Sequence, residues 1–431
     1  MKRVTSLFIV VLASACFSAA ASAAELTLDD CIELALEKRA SIIRARGAQS
    51  SASARKLAAL GAFLPDLRAS YGYSKGKETN IENPLSDITE QDKGPSKSLD
   101  LNSSWTVFAP GDWFQYAAAS AAKASSQLDV LASEQDLITA VKVAYYAYLA
   151  AEQNISVQEE AVKRAEEQLK LIESRFELGS ASKSDVLRQK VQYGNDQLAM
   201  LRATNAVIQS KADLAYTIGL DPRDDHQFAT DFRVREYAGT LDEAIAFGLE
   251  HNPRLLSSVK TSDEARHTLW AARSGYLPTM SLFFGFNRFE GTQAYPTSFD
   301  YSSNERTWGF RISYPIFDGF FREKQVTDAK VFRNNSMADL ADSRNSTIAS
   351  VKSSYLEIAQ LKKQVEVSTE NVAAAEEDFR ITQEKYNLGA ATILDLLTAQ
   401  VSLKEAQVAL IRVQFDLNLA VARLENAMGK M

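Results

Sequence analysis

The sequence predicts a mainly α-helical chain with a smaller β portion, duplicated internally, whose few strands can complete a barrel only when several copies combine. Three observations carry this expectation. The nine prolines are unevenly spread, and residues 111–221 and 316–431 contain none. Proline costs about 3 kcal/mol inside a helix, so such stretches are where very long helices can run. The two halves align at an offset of about 210 residues, with the same order of element types in each. Four short segments alternate apolar and polar residues with period two, the pattern of strands with one greasy face.

The chain opens with Met1-Lys2-Arg3, an apolar run from Leu7 to Phe17 and Ala-Ser-Ala-Ala at 21–24. A basic start, a short apolar core and small residues at the cleavage site predict a secretory leader over residues 1–23. The formal net charge is -7, and removing Lys2 and Arg3 makes it more negative. Nucleic-acid binding, which needs a basic face, is disfavoured. Of the two cysteines only Cys31 would survive cleavage, so no intramolecular disulfide or cysteine metal site is expected. Nothing beyond the leader has the run of apolar residues that a transmembrane helix requires.

The first repeat is expected over 24–220 and the second over 241–431, joined by a Pro/Asp-rich linker at 221–240. Each opens on a capping box, Thr27 with Asp30 and Thr240 with Glu243, followed by a helix ending near Leu64-Pro65 and Leu277-Pro278. In the second half Asn252-Pro253 is expected to interrupt that helix, because a residue before proline avoids the helical region. A β-hairpin follows at about 65–109 and again at about 278–317. Then come the long helices, a glycine turn at about 178–184 or 388–394, and a closing helix. The seam Ile358, Leu361, Val365, Ser368, Val372, Ala375, Phe379, Thr382, Tyr386 alternates by three and four, as does Leu403, Ala406, Leu410, Val413, Leu417, Ala420, Leu424, and several of these positions are small or polar. A sustained period of 3.5 wraps helices around their neighbours. Residues 113–178 would run about 100 Å at ~1.5 Å each, far longer than an ordinary domain core.

The strands place Leu67, Ala69, Tyr71 and Tyr73 on one face, then Leu99, Leu101, Trp105 and Val107, then Met280, Leu282, Phe284 and Phe286, then Trp308, Phe310, Ile312 and Tyr314. Runs of about 9–11 residues match a tilted membrane-crossing strand. The segments 78–97 and 291–304 between them read as long polar loops. Trp105, Trp308 and Tyr314 fit an interfacial aromatic belt. Four strands cannot close, and an open sheet edge is not tolerated in lipid, so two chains would supply eight strands and three chains twelve. The bland alternative for the strands is two amphipathic hairpins covering a soluble core, and the alternative for the chain is a structural coiled-coil protein of the periplasm or surface.

On these residues the chain resembles the outer-membrane efflux protein family of the TolC type. The resemblance covers the whole mature chain. It is most specific from Leu178-Gly179 to Asp185-Val186-Leu187 and from Leu388-Gly389 to Asp395-Leu396-Leu397, with support from Asn252-Pro253 and from Pro315 to Gly319. It implies a homotrimer: a twelve-stranded outer-membrane β-barrel continued by a twelve-helix periplasmic α-barrel. It further implies a passive exit duct for efflux or type I secretion, fed by an inner-membrane pump through a periplasmic membrane-fusion adaptor. The tips Leu178, Gly179, Ser180, Leu388, Gly389 and Ala390 would dock that adaptor, and Asp395 and Asp185 would ring the entrance. No cofactor is implied. The two arginine–tyrosine links that can latch a closed tip in that family are not evident, Ala391 occupying one of their positions, and Thr398 stands in the place of a second tip aspartate.

Each of these residues also has a plain structural reading. Gly179 and Gly389 can end helices in the left-handed conformation. Ser182 with Asp185 and Thr392 with Asp395 are capping boxes, which need no gate to explain them. The three histidines are scattered, and no nucleophile elbow, phosphate loop or metal cluster is present, so enzymatic activity is not expected.

Overall fold

The computed structural model describes residues 25–80, 89–293 and 299–430; the leader expected over 1–23 lies outside them. The first half runs α1 (Leu28–Lys38), α2 (Ala40–Gly61), β1 (Asp66–Asn80), β2 (Thr89–Phe108), α3 (Pro110–Glu177) and α4 (Lys183–Ile218). The second repeats it as α5 (Leu241–His251), α6 (Pro253–Ser274), β3 (Thr279–Gln293), β4 (Phe299–Ser313), α7 (Phe321–Asn387) and α8 (Ile393–Met428). At 68 and 67 residues, α3 and α7 each extend about 100 Å.

Both capping boxes form. Thr27 Oγ1 accepts from the Asp30 N–H while the Asp30 carboxylate accepts from the Thr27 N–H at 2.9 Å, and Thr240 with Glu243 repeats the exchange. Hydrogen bonds from the threonine hold both carboxyls below their ordinary pKa range.

The sequence predicts an interruption only in the second half, yet both halves are broken at the same place. Asn252 and Arg39 are each extended between two helices. The Asn252 side chain accepts from the Leu255 N–H at 3.1 Å and donates to the Ala427 carbonyl at 2.8 Å. Arg39 serves the first half by other chemistry: its guanidinium donates to the Tyr216 carbonyl at 3.0 Å and lies 4.4 Å over the Tyr216 ring. In both halves the break residue thus donates to a last-turn carbonyl of the closing helix, and that of Tyr216 also accepts from the Gly219 N–H at 3.1 Å. No proline is needed, which is why the first break is invisible to a search for helix breakers.

Near the sheet four helices lie side by side in the order α2, α3, α6, α7, and further from it the order is α4, α3, α8, α7. The short helices cover one face of this wall. Cys31 and Ala35 of α1 pack with Val141, Tyr145, Leu214 and Ile218, and Ala244 of α5 packs with Val351, Ile358 and Leu424. The linker crosses the same face, where Tyr145 donates to the Ala229 carbonyl at 2.6 Å and Asn418 donates to that of Arg233 at 2.8 Å.

The strands form one antiparallel sheet in the order β1-β2-β3-β4. They are longer than expected, at 15, 20, 15 and 15 residues, and they take up most of the segments read as loops. The apolar run measures only the part suited to lipid. A polar strand continues the same ladder in water, because main-chain pairing does not depend on greasy side chains.

Directly paired residues share a face. Leu67 opposes Ser103, Trp105 opposes Leu282, Phe284 opposes Trp308 and Met280 opposes Ile312, so the four apolar stripes merge into one surface. The reverse face carries Arg68, Asp100, Asn102, Asn287, Glu305 and Arg311, with Asn287 donating to Asp100. Phe283 intrudes there, its ring covering Gly309 and lying 5.4 Å from the Arg311 guanidinium. Among the described residues β1 and β4 each leave one edge unpaired.

Candidate functional site

At the end of the wall furthest from the sheet, two helix–turn–helix tips meet. Gly179 and Gly389 adopt φ of +74° and +76°, and neither would bring a Cβ near any other atom. Their turns close by main-chain bonds from Ser180 to Arg175 and from Ala390 to Lys385, both 2.8 Å. The turns hold Leu178 and Leu388 outward at 83% and 85% exposure, a costly display for leucine unless something covers it.

The two aspartates sit behind these turns. Asp185 accepts from the Ser182 N–H at 3.1 Å and its hydroxyl at 2.8 Å, while Asp395 accepts from the Thr392 N–H at 2.9 Å and its hydroxyl at 2.7 Å. In each case one oxygen, Oδ2, takes both bonds. The bonds from Thr392, side chain first and backbone second, hold the exposed Asp395 carboxyl below its ordinary range. A carboxylate so tuned stays charged at any physiological pH, whether or not it also faces an entrance.

Between the tips lies an apolar plug of Ile172, Tyr386, Ile393 and Leu396, flanked by Ala181, Val186, Ala391 and Leu397. Ala391 therefore fills a packing position. The tie that its presence argued against is nevertheless made from the other half. The Arg175 guanidinium lies 5.2 Å from the Tyr386 ring centre and donates to Asn387 Oδ1 at 3.2 Å and, at 3.5 Å, to the Tyr386 carbonyl. Burial pushes the Tyr386 phenol upward, so it stays neutral. Arg175 lies four residues before Gly179 and Tyr386 three before Gly389, and scanning each repeat separately could not pair them.

Above the plug the wall becomes polar. Gln168 of α3 donates to Gln383 of α7 at 2.5 Å, and Gln189 of α4 donates to the Ala165 carbonyl at 3.0 Å. Next comes Asp196, 1% exposed, which accepts from Lys404 at 2.6 Å and from Gln192 at 3.0 Å. A buried pair of this kind fixes register more than it adds stability. Of these, Asp196 falls at the α4 equivalent of seam residue Ala406, where a small or apolar side chain is the usual occupant.

At the sheet, Trp105 and Trp308 lie on the apolar face, and Tyr314 directly follows β4. Trp105 also donates to the Phe63 carbonyl at 2.9 Å, joining the base of β2 to the end of α2. Among the described residues no helix is long and apolar enough to cross a membrane, and no three metal-ligating side chains cluster.

Comparison with known proteins gives a consistent result. A family model described as "Outer membrane efflux protein" matches residues 31–220 and 247–430. The chain is 23% identical to the outer membrane protein TolC of Vibrio cholerae, over 86% of this chain and 83% of that protein. It is 24% identical to the proteases secretion protein PrtF of Dickeya chrysanthemi, over 93% of this chain and 86% of the relative. Among solved structures, the CmeC outer membrane channel of Campylobacter jejuni superposes with a TM-score of 0.80 at 17% identity, covering 93% of this chain and 85% of that one.

Proposed function

The chain belongs to the outer membrane efflux protein family, and from that premise we propose that it is the outer-membrane exit channel of a tripartite efflux or type I secretion system. It conducts passively. Cargo is delivered by an inner-membrane pump through a periplasmic adaptor, and energy is spent at the pump.

One observation carries the reading: the protomer has two unfinished sides that run the whole length of the molecule. One side consists of the free edge of β1 with α2 and α4, and the other of the free edge of β4 with α7. On α4, Leu187, Val191, Leu198, Leu201 and Ile208 form an exposed heptad stripe. The equivalent residues of α8 include Leu397, Val408 and Ile411, which pack toward α3 within the chain. Likewise Trp270 of α6 stacks on Phe114 of α3, while its counterpart Leu57 of α2 is 68% exposed. The contacts joining the two halves are thus the pattern for contacts joining one chain to the next.

The number of copies follows from the strands. Four strands per chain make eight in a dimer, and an eight-stranded barrel is filled by its own side chains. Three copies make twelve, the smallest closed set that leaves a lumen for cargo. The exposed Leu178 and Leu388 are then the adaptor-docking knobs, and three copies of Asp395 and Asp185 face the axis at the entrance, where they favour cations. Trp105, Trp308 and Tyr314 anchor the barrel at the lipid borders.

The test is outer-membrane fractionation followed by stepwise conductance in a planar bilayer. A water-soluble, non-conducting product favours the structural coiled-coil reading instead. Site-specific crosslinking from Ser180 and Ala390 should capture the adaptor.

A further inference from the structure

The apolar face of the sheet has a border whose chemistry is the same on every strand. Following outward-facing residues away from the helices, β1 presents Leu67, Ala69, Tyr71 and Tyr73, and the next outward residue is Lys75. On β2 the series Trp105, Ser103, Leu101, Leu99 is followed by Lys97. On β3 Met280, Leu282, Phe284 and Phe286 are followed by Arg288, and on β4 Ile312, Phe310 and Trp308 by Arg306. All four cations are exposed. The opposite border shows no such switch. Towards the helices the flanking positions are Pro65, Val107, Pro278 and Tyr314.

Register puts the four charges at one level. Lys97 is paired with Tyr73, one outward position below Lys75; Arg288 is paired with Leu99 and Arg306 with Phe286, so each strand steps down by one more outward position. Lys75 lies at the irregularity between Ser74 and Gly76 and keeps its place in the series by strand alternation. A step of two residues is about 6.8 Å along a strand, against a strand spacing of about 4.8 Å. At the roughly 45° tilt of a membrane strand these shifts nearly cancel, leaving the four cations within about 4 Å of a common height. At the lower border the last apolar residues Leu67, Trp105 and Met280 descend by the same step across the first three strands, as a level band on tilted strands requires.

We propose that Lys75, Lys97, Arg288 and Arg306 form a phosphate-binding rim on the outer surface of the barrel, occupied by the phosphorylated glycolipid headgroups of the outer leaflet. This rests on the outer-membrane reading above. Charge placed where acyl chains end is drawn to headgroup phosphate, and planar guanidinium groups grip phosphate with two parallel bonds. The far leaflet is where phosphate is borne on lipid A, and only that border is basic. Among the described residues one carboxylate shares the rim. Glu290 accepts from Arg288 Nε at 3.0 Å and from Nη2 at 2.6 Å, which orients the guanidinium and leaves its remaining N–H groups for a ligand.

The experiment is lipid retention by native mass spectrometry, on protein extracted from outer membranes in mild detergent. The probes are bis-phosphorylated lipid A, the same lipid stripped of phosphate, and phosphatidylglycerol. The wild type should retain lipid A, and retention should fall about fivefold for each charge removed in Lys97→Gln, Arg288→Gln and Arg306→Gln. Arg306→Lys should lose less than Arg306→Gln. Stripped lipid A should bind wild type and variants alike. Undiminished retention in the single variants, or no dependence on phosphate, overturns the proposal. Equal retention of phosphatidylglycerol overturns its commitment to the glycolipid. Conductance of the same preparations separates the two readings. Normal conductance with charge-independent retention defeats only the rim, whereas failure to insert and conduct defeats the channel reading and the rim with it.

Discussion

Removing Arg175 should loosen the tip without unfolding the protein. Its guanidinium contributes a cation–π contact with Tyr386 at 5.2 Å, about 0.5–1 kcal/mol at a half-exposed site, and a hydrogen bond to Asn387 at 3.2 Å, about 1 kcal/mol. The sum, about 1.5–2 kcal/mol, changes the ratio of tied to untied tip arrangements by about 10–30-fold. The plug of Ile172, Tyr386, Ile393 and Leu396 remains in place, so the global melt should hardly move. Single-channel recording of Arg175→Ala in a planar bilayer should show more frequent high-conductance intervals than wild type. Arg175→Lys should fall between the two, because an ammonium keeps the charge but not the planar fork. Asn387→Ala should give part of the effect, and adding it to Arg175→Ala should give little more. If Arg175→Ala conducts as wild type does across all voltages, the contact is ornamental and the reasoning fails.

Three further outcomes are expected. Gly429→Ala should cost about 2–4 kcal/mol, because the residue sits at φ +77° and its Cβ would meet the His251 carbonyl at 2.6 Å. Gly389→Ala, at φ +76° in open space, should cost only about 1–2 kcal/mol, and equal melting shifts for the two would contradict the packing account. The Asp395 carboxyl is held below 3.8 by its bonds to Thr392, so the cap's contribution is complete above that pH and is lost as pH falls through the depressed folded value. Hydrogen exchange at the start of α8, corrected for intrinsic rates, should therefore be flat from pH 7 to about 5, rise only below about 4, and lose that dependence in Asp395→Asn. Leu178→Ser with Leu388→Ser should leave the melt unchanged, since both side chains are over 80% exposed, and should abolish adaptor capture from Ser180 and Ala390; capture at wild-type yield would move the docking site elsewhere.

The fold was legible where a single residue type suffices to state the rule. Missing prolines marked α3 and α7, Thr27 and Thr240 marked the helix starts, and Gly179 and Gly389 marked the turns. What escaped depends on partners far apart in the chain. The break at Arg39 exists because Tyr216 offers a carbonyl and a ring, 177 residues away. The Arg175 tie needs Asn387, 212 residues away. The pairing of Asp196 with Lys404 lies beyond heptad counting, which names seam positions but not their partners, since two charges can share a buried place only when tertiary structure brings them together. Strand length was misjudged for a different reason. Hydropathy reports where lipid lies, whereas pairing in the β1–β2 ladder runs on past Tyr73 and Leu99 into polar residues.

The duplication also explains where the halves have diverged. The seam of α8 toward α3 forms within one chain, and in it stands Phe415, packed on Tyr146 and 4.1 Å from the Phe232 ring centre. The matching stripe of α4 must wait, exposed, for another copy, and there the counterpart of Phe415 is the exposed Asn205. Gly194 thins the same stripe, with nothing within 4 Å of where its Cβ would be. An exposed apolar stripe on a free protomer invites wrong association, so interrupting it limits that hazard while Leu187, Val191, Leu198, Leu201 and Ile208 keep the period that a neighbour must match. The same logic separates Trp270, stacked on Phe114 inside the chain, from Leu57 at the waiting edge. Two copies of one ancestral unit have been fitted to two different moments, one seam closed during folding and the other during assembly.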